Sequence, residues 1–488
     1  MNRPNILIIT TDQQRFDTIQ AGGNPYIRTP HLNWMLESGI HFTRCYSDSP
    51  ICVPARATML TGRHYMHMPP NVGFFGQVPT LEPQSTLPAV LTRHGYQTKS
   101  VGKLHYHPAR TNYGWEDTQI LEDYYRYMAR HSQNGVPMDH GLGQNEVYPG
   151  ISTVDESHSL THWIVNESID FLETRDTTRP FLLHVGFSKP HPPFDPCLNY
   201  WLQYQNATVP EPVYGDWSRK TSDIDPGLMW PTWSITGVDA FAPELIRDMR
   251  RAYYALITQV DYNLGLLFAR VRELGLLSNT LILFTSDHGE MLGDHHMGSK
   301  TTFLEPSAHV PLLLRPPESP AFERYKGIRG TRCAQLTCLA DIMSTCLAAS
   351  ECPAPDVPLD GIDLVAAARG EASRTRIFGR CGNDVGSYFY AVIEDRWKLI
   401  FQESGAELLF DLENDPMEQK ELIRAGGYEV EHKRLASLLA QKIESCGWSG
   451  VKNGQLTACK KSLSREEIRR NPWPGFHHSQ HTADDVLH

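Results

Sequence analysis

Cys52 stands two residues before Pro54 and four before Arg56, in a stretch that closes on Gly62. Proline fits the first turn of a helix, where its missing N–H costs nothing, and glycine fits the end. Ala57, Met59 and Leu60 between them are good helix formers. The spacing predicts a helix with Cys52 at or just before its N-terminus, where free N–H groups and the positive end of the helix dipole favour anions. Arg56, one turn on, adds a fixed cation on the same side. A thiol so placed is acidic and reactive. A second set of residues suits a hard cation: Asp12, Asp287 and the Gln13 amide offer oxygen ligands for Ca2+ or Mg2+, and the imidazole of His288 brings in Mn2+. Taken singly, a cysteine is usually buried packing and an Asp after a strand is usually a cap or turn residue. Chemistry is indicated by their joint occurrence.

Bringing such groups together requires strands that end side by side. Residues 5–11 form a short apolar, β-branched run, as in a central parallel strand buried on both faces, and the run ends in Asp12-Gln13. A strand over 98–102 leads into Lys103-Leu104-His105, one over 180–186 opens into the loop carrying His191, and one over 279–285 ends at Ser286-Asp287-His288. Helical patterns over 29–39, 86–94, 157–175 and 244–274 alternate with these strands, as in a doubly wound α/β sheet. In such sheets ligands collect beyond the carboxyl ends of the strands. Residues 108–150 and 196–242 read as irregular surface excursions that shape substrate access. Residues 396–401 and 406–411 read as an antiparallel pair, followed by helices to about Cys446.

The Cys52-x-Pro54-x-Arg56 pattern resembles the signature of the type I sulfatases, in which this cysteine is oxidised after translation to formylglycine, the catalytic aldehyde. The usual family core has Ser where this chain has Ala55. Gly102-Lys103-Leu104-His105 matches the family's Gly-Lys-x-His loop, His191 its next active-site histidine, and Lys300 the lysine after the second metal loop. Many sulfatases present two Asp in the first metal loop and Asp-Asn in the later one. Asp12-Gln13 and Asp287-His288 resemble instead the choline-sulfatase and phosphonate-monoester-hydrolase side of the superfamily.

The resemblance implies an alkaline-phosphatase-like α/β fold, a large, mixed, mostly parallel sheet flanked by helices. It places a catalytic domain over residues 1–375 and a smaller C-terminal α+β subdomain over 376–488. It implies a divalent ion, Ca2+ first and Mn2+ or Mg2+ after it, held by Asp12, Gln13, Asp287, His288 and oxidised Cys52. Lys103, His191 and Lys300 would bind the sulfate ester, and Arg56 would hold the formylglycine hydrate. One hydroxyl of that hydrate would attack sulfur, His191 or Lys300 would protonate the leaving oxygen, and His105 would take the proton of the second hydroxyl. The expected activity is sulfate monoester hydrolysis on a small-molecule or saccharide ester, after maturation by a formylglycine-generating enzyme. A phosphonate monoester or phosphodiester hydrolase is the alternative on the same scaffold, and the charged Lys103 loop favours the sulfatase. A non-catalytic sulfate- or glycan-binding protein with unoxidised Cys52 is a third reading.

A chain of 488 residues is long enough for a large core, and its net charge of −11 argues against a general nucleic-acid or anionic-membrane surface. The ten cysteines show no CxxC pair, so a zinc ribbon is not expected. Cys333 to Cys352 shares a helical period with Leu336, Leu339 and Ile342 and reads as core. The N-terminal residues lack the longer apolar region of a signal peptide, and no run reaches transmembrane length, so a cytoplasmic location is expected. Glu290, His295 and His296 stand near the later metal loop without an assigned role, and His477, His478 and His481 mark a tail.

Overall fold

The computed structural model describes residues 3–68, 83–106, 108–382 and 387–470. At its centre lies β1 (Asn5–Asp12), every residue of which is buried. It belongs to a nine-stranded sheet with β2 (Ile40–Tyr46), β3 (Gln97–Gly102), β4 (Asp117–Gln119), β5 (Phe181–Pro190), β6 (Thr280–Ser286), β7 (His309–Arg315), β8 (Thr331–Cys333) and β9 (Thr337–Cys338). The order is β4-β3-β5-β1-β6-β7-β2-β8, with β9 also paired to β2. Neighbours from β4 through β6 are parallel, and β7 runs antiparallel to both β6 and β2.

Helices cover both faces: α1 (Pro30–Ser38), α2 (Cys52–Thr61), α3 (Leu87–Arg93), α4 (Leu121–Arg130), α5 (Leu160–Thr174), α6 (Leu198–Tyr204), α7 (Pro226–Pro231) and α8 (Pro243–Glu273). Ile6 and Ile8 of β1 pack with Leu60 of α2 and Leu91 of α3, whereas Leu7 and Ile9 pack with Ile164 of α5 and Leu264 of α8. Two covered faces explain why the strand reads as a continuous apolar run instead of an alternating one. The sheet mixes parallel and antiparallel neighbours, and parallel pairs dominate its centre, as the sequence reading expects.

The register fixes where the strands stop. Thr10 pairs with Gly186 of β5 and with Thr285 of β6, and Gly102 of β3 pairs with the same Gly186. The carboxyl ends of β3, β5, β1 and β6 therefore lie level along one edge, and the residues that follow them share one space.

The two stretches read as irregular contain regular structure. β4 and α4 lie within 108–150, and Tyr124 and Met128, one turn apart on α4, are its buried edge. α6 and α7 lie within 196–242. A second sheet, antiparallel throughout, has the order β10 (Arg376–Gly382), β11 (Tyr388–Glu394), β12 (Trp397–Gln402) and β13 (Glu407–Asp411), two strands more than the sequence reading predicts. The helix Glu429–Ser445 packs Leu435, Leu439 and Ile443 onto it. In the 333–352 stretch only Asp341–Ser350 is helical, because Cys333 and Cys338 lie in β8 and β9. All ten cysteines are free. Among the described residues no helix is long and apolar enough to cross a membrane. The tail histidines lie outside the described residues.

Candidate active site

The helix α2 begins at Cys52 and ends on Gly62, whose φ of 64° is the left-handed conformation glycine adopts without strain. All of its residues are buried, so its first turn is delivered to the strand ends from inside the molecule. The Pro50 carbonyl before it accepts from the Thr301 N–H, which binds the α2 entry loop to the segment carrying Lys300. At the end of β3, Gly102 has φ 97°, and a β-carbon there would lie 2.1 Å from the Gly186 oxygen. Only glycine allows this close crossing. It lets Lys103 donate its N–H to Gly186 O at 2.8 Å and reach Asp12 Oδ2 with its Nζ at 2.6 Å.

Four buried side chains converge: Asp12, Cys52, Asp287 and His288 each offer one ligand atom, all within 4.8 Å of one another. Cys52 Sγ is 3.6 Å from Asp12 Oδ1 and 3.2 Å from His288 Nε2. His288 Nδ1 donates to the Gly289 carbonyl at 2.9 Å, and Nε2 faces the cluster. Cations surround these groups. Arg56 donates through Nε to Asp287 Oδ2 at 2.9 Å, through Nη2 to Asp12 Oδ2 at 3.2 Å and through Nη1 to the Lys103 carbonyl at 2.6 Å. Lys300 Nζ donates to Gln13 Oε1 at 2.6 Å and to Cys52 Sγ at 3.4 Å.

The electrostatics follow from that arrangement. Burial pushes the Cys52 thiol up, as does Asp12, but Lys300, Lys103 and His288 outweigh them and hold it well below the ordinary thiol range. Burial likewise works against the Asp12 carboxylate, yet Lys103, His191, Arg56 and Lys300 together keep it well below its usual value. Asp287 moves the other way, raised by burial and by the facing Asp12 charge. Arg56 and Lys103 offset the charge of the two carboxylates, while carboxylate oxygens, His288 Nε2 and Cys52 Sγ still point at one another. Two carboxylates, an inward-facing imidazole nitrogen and an anionic side chain at Cys52 form a donor set that fits a divalent ion.

His191 is buried beyond β5, with Nδ1 2.8 Å from the Pro192 carbonyl. Burial, Lys300 and Lys103 drive its pKa well down, against Asp12 and Cys52, so its ring responds to the charges of the cluster. His105 differs from the rest: it is exposed after β3 at φ 61°, with no hydrogen bond to the cluster among the described residues. His295 is engaged elsewhere, stacked on Trp217 and bonded through Nδ1 to Ser218 Oγ at 2.8 Å. Three supporting residues have no role in the sequence reading. Glu290 accepts from the Gln13 amide nitrogen, Tyr253 donates to the Gln13 carbonyl at 2.6 Å, and His184 bridges Thr10 and Ser100 beneath the site at 2.9 and 2.8 Å. Burial and Arg56 depress His184 to about 3, which keeps it neutral. Glu290 is visible in the sequence only as the last residue of Ser286-Asp-His-Gly-Glu290, and Tyr253 and His184 only as members of apolar elements.

Comparison with known proteins accords with this geometry. Residues 4–350 match the family model described as Sulfatase. An arylsulfatase of Clostridium perfringens is 32% identical over 91% of this chain and 95% of its own length. A choline-sulfatase of Rhizobium meliloti is 27% identical over 85% and 81%. The crystal structure of the phosphonate monoester hydrolase of Agrobacterium radiobacter superposes with a TM-score of 0.77 at 24% identity, over 94% of this chain and all of that one, a likeness of fold. With the family model spanning most of its length, this chain belongs to the sulfatase family.

Proposed function

We propose that the protein hydrolyses sulfate monoesters with Cys52, oxidised to formylglycine, as the nucleophile-bearing residue. The observation that carries this reading is the convergence of Asp12, Cys52, Asp287 and His288 on one point, ringed by Arg56, Lys103 and Lys300. A divalent ion held by Asp12, Gln13, Asp287 and His288, Ca2+ first, would neutralise nonbridging oxygens and acidify the hydrate hydroxyl. Lys103 and Lys300 bind the remaining sulfate oxygens and offset the charge that builds on them in the transition state. Arg56, fixed by both Asp residues, holds the hydrate in one orientation.

One hydroxyl of the hydrated side chain at position 52 attacks sulfur in line. As that S–O bond forms, the S–O bond to the alcohol breaks, the alcohol oxygen takes a proton from a neighbouring donor, and the proton of the attacking hydroxyl restores that donor. We assign Lys300 as the donor, because burial and the cations near His191 disfavour the protonated ring. His191 then serves to bind the ester. In the second step a base removes the proton of the remaining hydroxyl, the C–O bond to sulfate breaks, and the aldehyde re-forms. We assign that base to His105, which must turn inward from its exposed position. The aldehyde gives an internal exit that an ordinary serine sulfate lacks.

The same charged groups suit phosphoryl oxygens, so a phosphonate monoester is the rival substrate, in keeping with the Asp12-Gln13 and Asp287-His288 loops. The test is kcat/KM on an aryl sulfate against the matching aryl phosphonate monoester, with and without a chelator. The proposal expects the sulfate to be preferred and the chelated enzyme to be inactive. A preferred phosphonate ester would move the assignment to the rival, and chelator-resistant turnover would remove the ion from it.

A further inference from the structure

Resting on the reading that Gln13 and Lys300 belong to the reacting site, we infer that Glu290 is a positioning residue that fixes which end of the Gln13 amide faces the Cys52 cluster. A glutamine amide is nearly symmetric in shape but opposite in chemistry at its two ends. Turned one way, it offers an oxygen that binds a cation or accepts from a lysine. Turned the other way, it presents an NH2 group that repels both. Nothing within the Gln13 side chain decides between them.

Glu290 supplies the decision. It is buried, and its Oε1 accepts the backbone N–H groups of Leu292 at 3.0 Å and Ser299 at 2.5 Å. Its Oε2 is left facing the Gln13 amide and accepts from Nε2. A carboxylate only accepts and the Lys300 ammonium only donates, so the Gln13 atom against Glu290 is the nitrogen. The oxygen is then turned to Lys300 Nζ at 2.6 Å, and that same Nζ reaches Cys52 Sγ at 3.4 Å.

The main chain cannot absorb a flip. Gln13 has φ 71°, its N–H donates to Asp287 Oδ1 at 3.1 Å, and its carbonyl accepts from the Tyr253 hydroxyl at 2.6 Å. A non-glycine residue in the left-handed region, fastened at both backbone groups, retains only side-chain rotation as a freedom. The hydrogen bond to Glu290 removes it. The consequence reaches Lys300, because a flipped amide would set NH2 against the Lys300 ammonium and displace it from position 52.

The test exchanges the two chemistries. Gln13→Glu places a carboxylate against Glu290, and adding Glu290→Gln restores a matched pair with its polarity reversed. In the double variant the amide oxygen at position 290 still takes the two backbone N–H groups, and the amide NH2 there donates to the new carboxylate. The second oxygen at position 13 again faces Lys300. The measurements are kcat on an aryl sulfate and calorimetric binding of Ca2+ to chelator-treated enzyme. Loss of an orienting partner of this kind costs ~10–100-fold in activity or metal affinity. The inference expects that loss in Q13E and in E290Q, and recovery of most of it in Q13E/E290Q.

A double variant no better than the product of the two single losses overturns the inference, because Glu290 would then serve only to brace its loop. Should E290Q alone fail to fold, the comparison of Q13E with the double variant still decides, since the second substitution must improve on the first. Gln13→Ala separates this inference from the reading beneath it. Wild-type turnover and Ca2+ binding in Q13A overturn both, whereas a defective Q13A beside a normal E290Q overturns the positioning role alone.

Discussion

Two buried ionic clusters lie on either side of the Lys300 segment, and they differ in how completely they are closed. In the first, Lys398 of β12 donates its ammonium to Phe303 O at 2.9 Å, to Glu418 Oε1 at 2.8 Å and to Glu305 Oε1. Glu418 Oε2 accepts the Glu305 N–H at 2.7 Å, and Glu305 Oε2 contacts His309 Nδ1 at 2.7 Å. Three donors of one ammonium meet three acceptors, and each glutamate oxygen has a partner. In the second, Asp12, Asp287, His288 and Cys52 point their ligand atoms at one another. The first cluster joins the C-terminal sheet to the segment after Lys300; the second holds the groups proposed to bind a cation and an anionic substrate. Burial and charge alone therefore do not mark a catalytic site. Four ligand atoms of metal-binding type directed at one point set the second cluster apart.

Substitutions separate the two. Cys52→Ser in the catalytic cluster should have the largest effect. Its hydroxyl can be sulfated but has no aldehyde exit, so steady turnover falls by roughly 10³-fold or more while single-turnover sulfation persists. Burst kinetics on an aryl sulfate would show it, and sustained wild-type turnover in this variant would refute the aldehyde mechanism. Lys103→Ala removes one preorganised charge and should lower kcat by ~10²–10³-fold with the fold intact by circular dichroism. Near-normal kcat would take Lys103 out of the site.

In the closed cluster the expectation is reversed. Lys398→Met leaves two glutamates facing one another in the interior and should cost about 3 kcal/mol in chemical denaturation. The folded fraction should retain kcat close to wild type. A large kcat loss at full stability would mean that the closed cluster takes part in turnover, and would erase the contrast.

The smallest effect concerns pH. Burial, reinforced by Glu305, raises Glu418 to about 7 against the pull of Lys398. A carboxyl whose folded pKa lies above its unfolded value of 4.5 contributes stability below that value and loses it as pH rises through about 7. Thermal melts should therefore show Tm falling as pH rises from about 4.5 to about 7 and levelling above it, with the slope flattened in Glu418→Gln. An unchanged slope in that variant would assign the pH dependence to other groups.

The two clusters also differ in how far the sequence discloses them. The strand-end motifs of the catalytic cluster are legible because each is local: an apolar run, then Asp12-Gln13 or Asp287-His288. Parallel topology does the rest, since level strand ends bring local motifs together. The closed cluster is not legible, because Lys398, Glu305 and Glu418 belong to three separate segments joined by packing and not by a common motif. The strand β11 escapes for a related reason: Tyr388–Glu394 is almost wholly buried, and a short continuous apolar run carries no period to distinguish strand from helix. The helix α4 is obscured by a Gly- and Tyr-rich surrounding stretch, although Tyr124 and Met128 keep helical spacing. Glu290 sits inside a legible motif, yet its role depends on Leu292 N, Ser299 N and Gln13 meeting in space.

All of the catalytic assignments depend on the chemical state of one side chain. Mass analysis of the peptide containing position 52, taken from enzyme made in its native host, measures that state directly. The aldehyde mechanism requires a peptide lighter than the encoded one by the conversion of a thiol-bearing methylene to an aldehyde, trapped by hydrazine reagents, in enzyme that turns over an aryl sulfate. An unmodified thiol at position 52 in enzyme of undiminished turnover would contradict it.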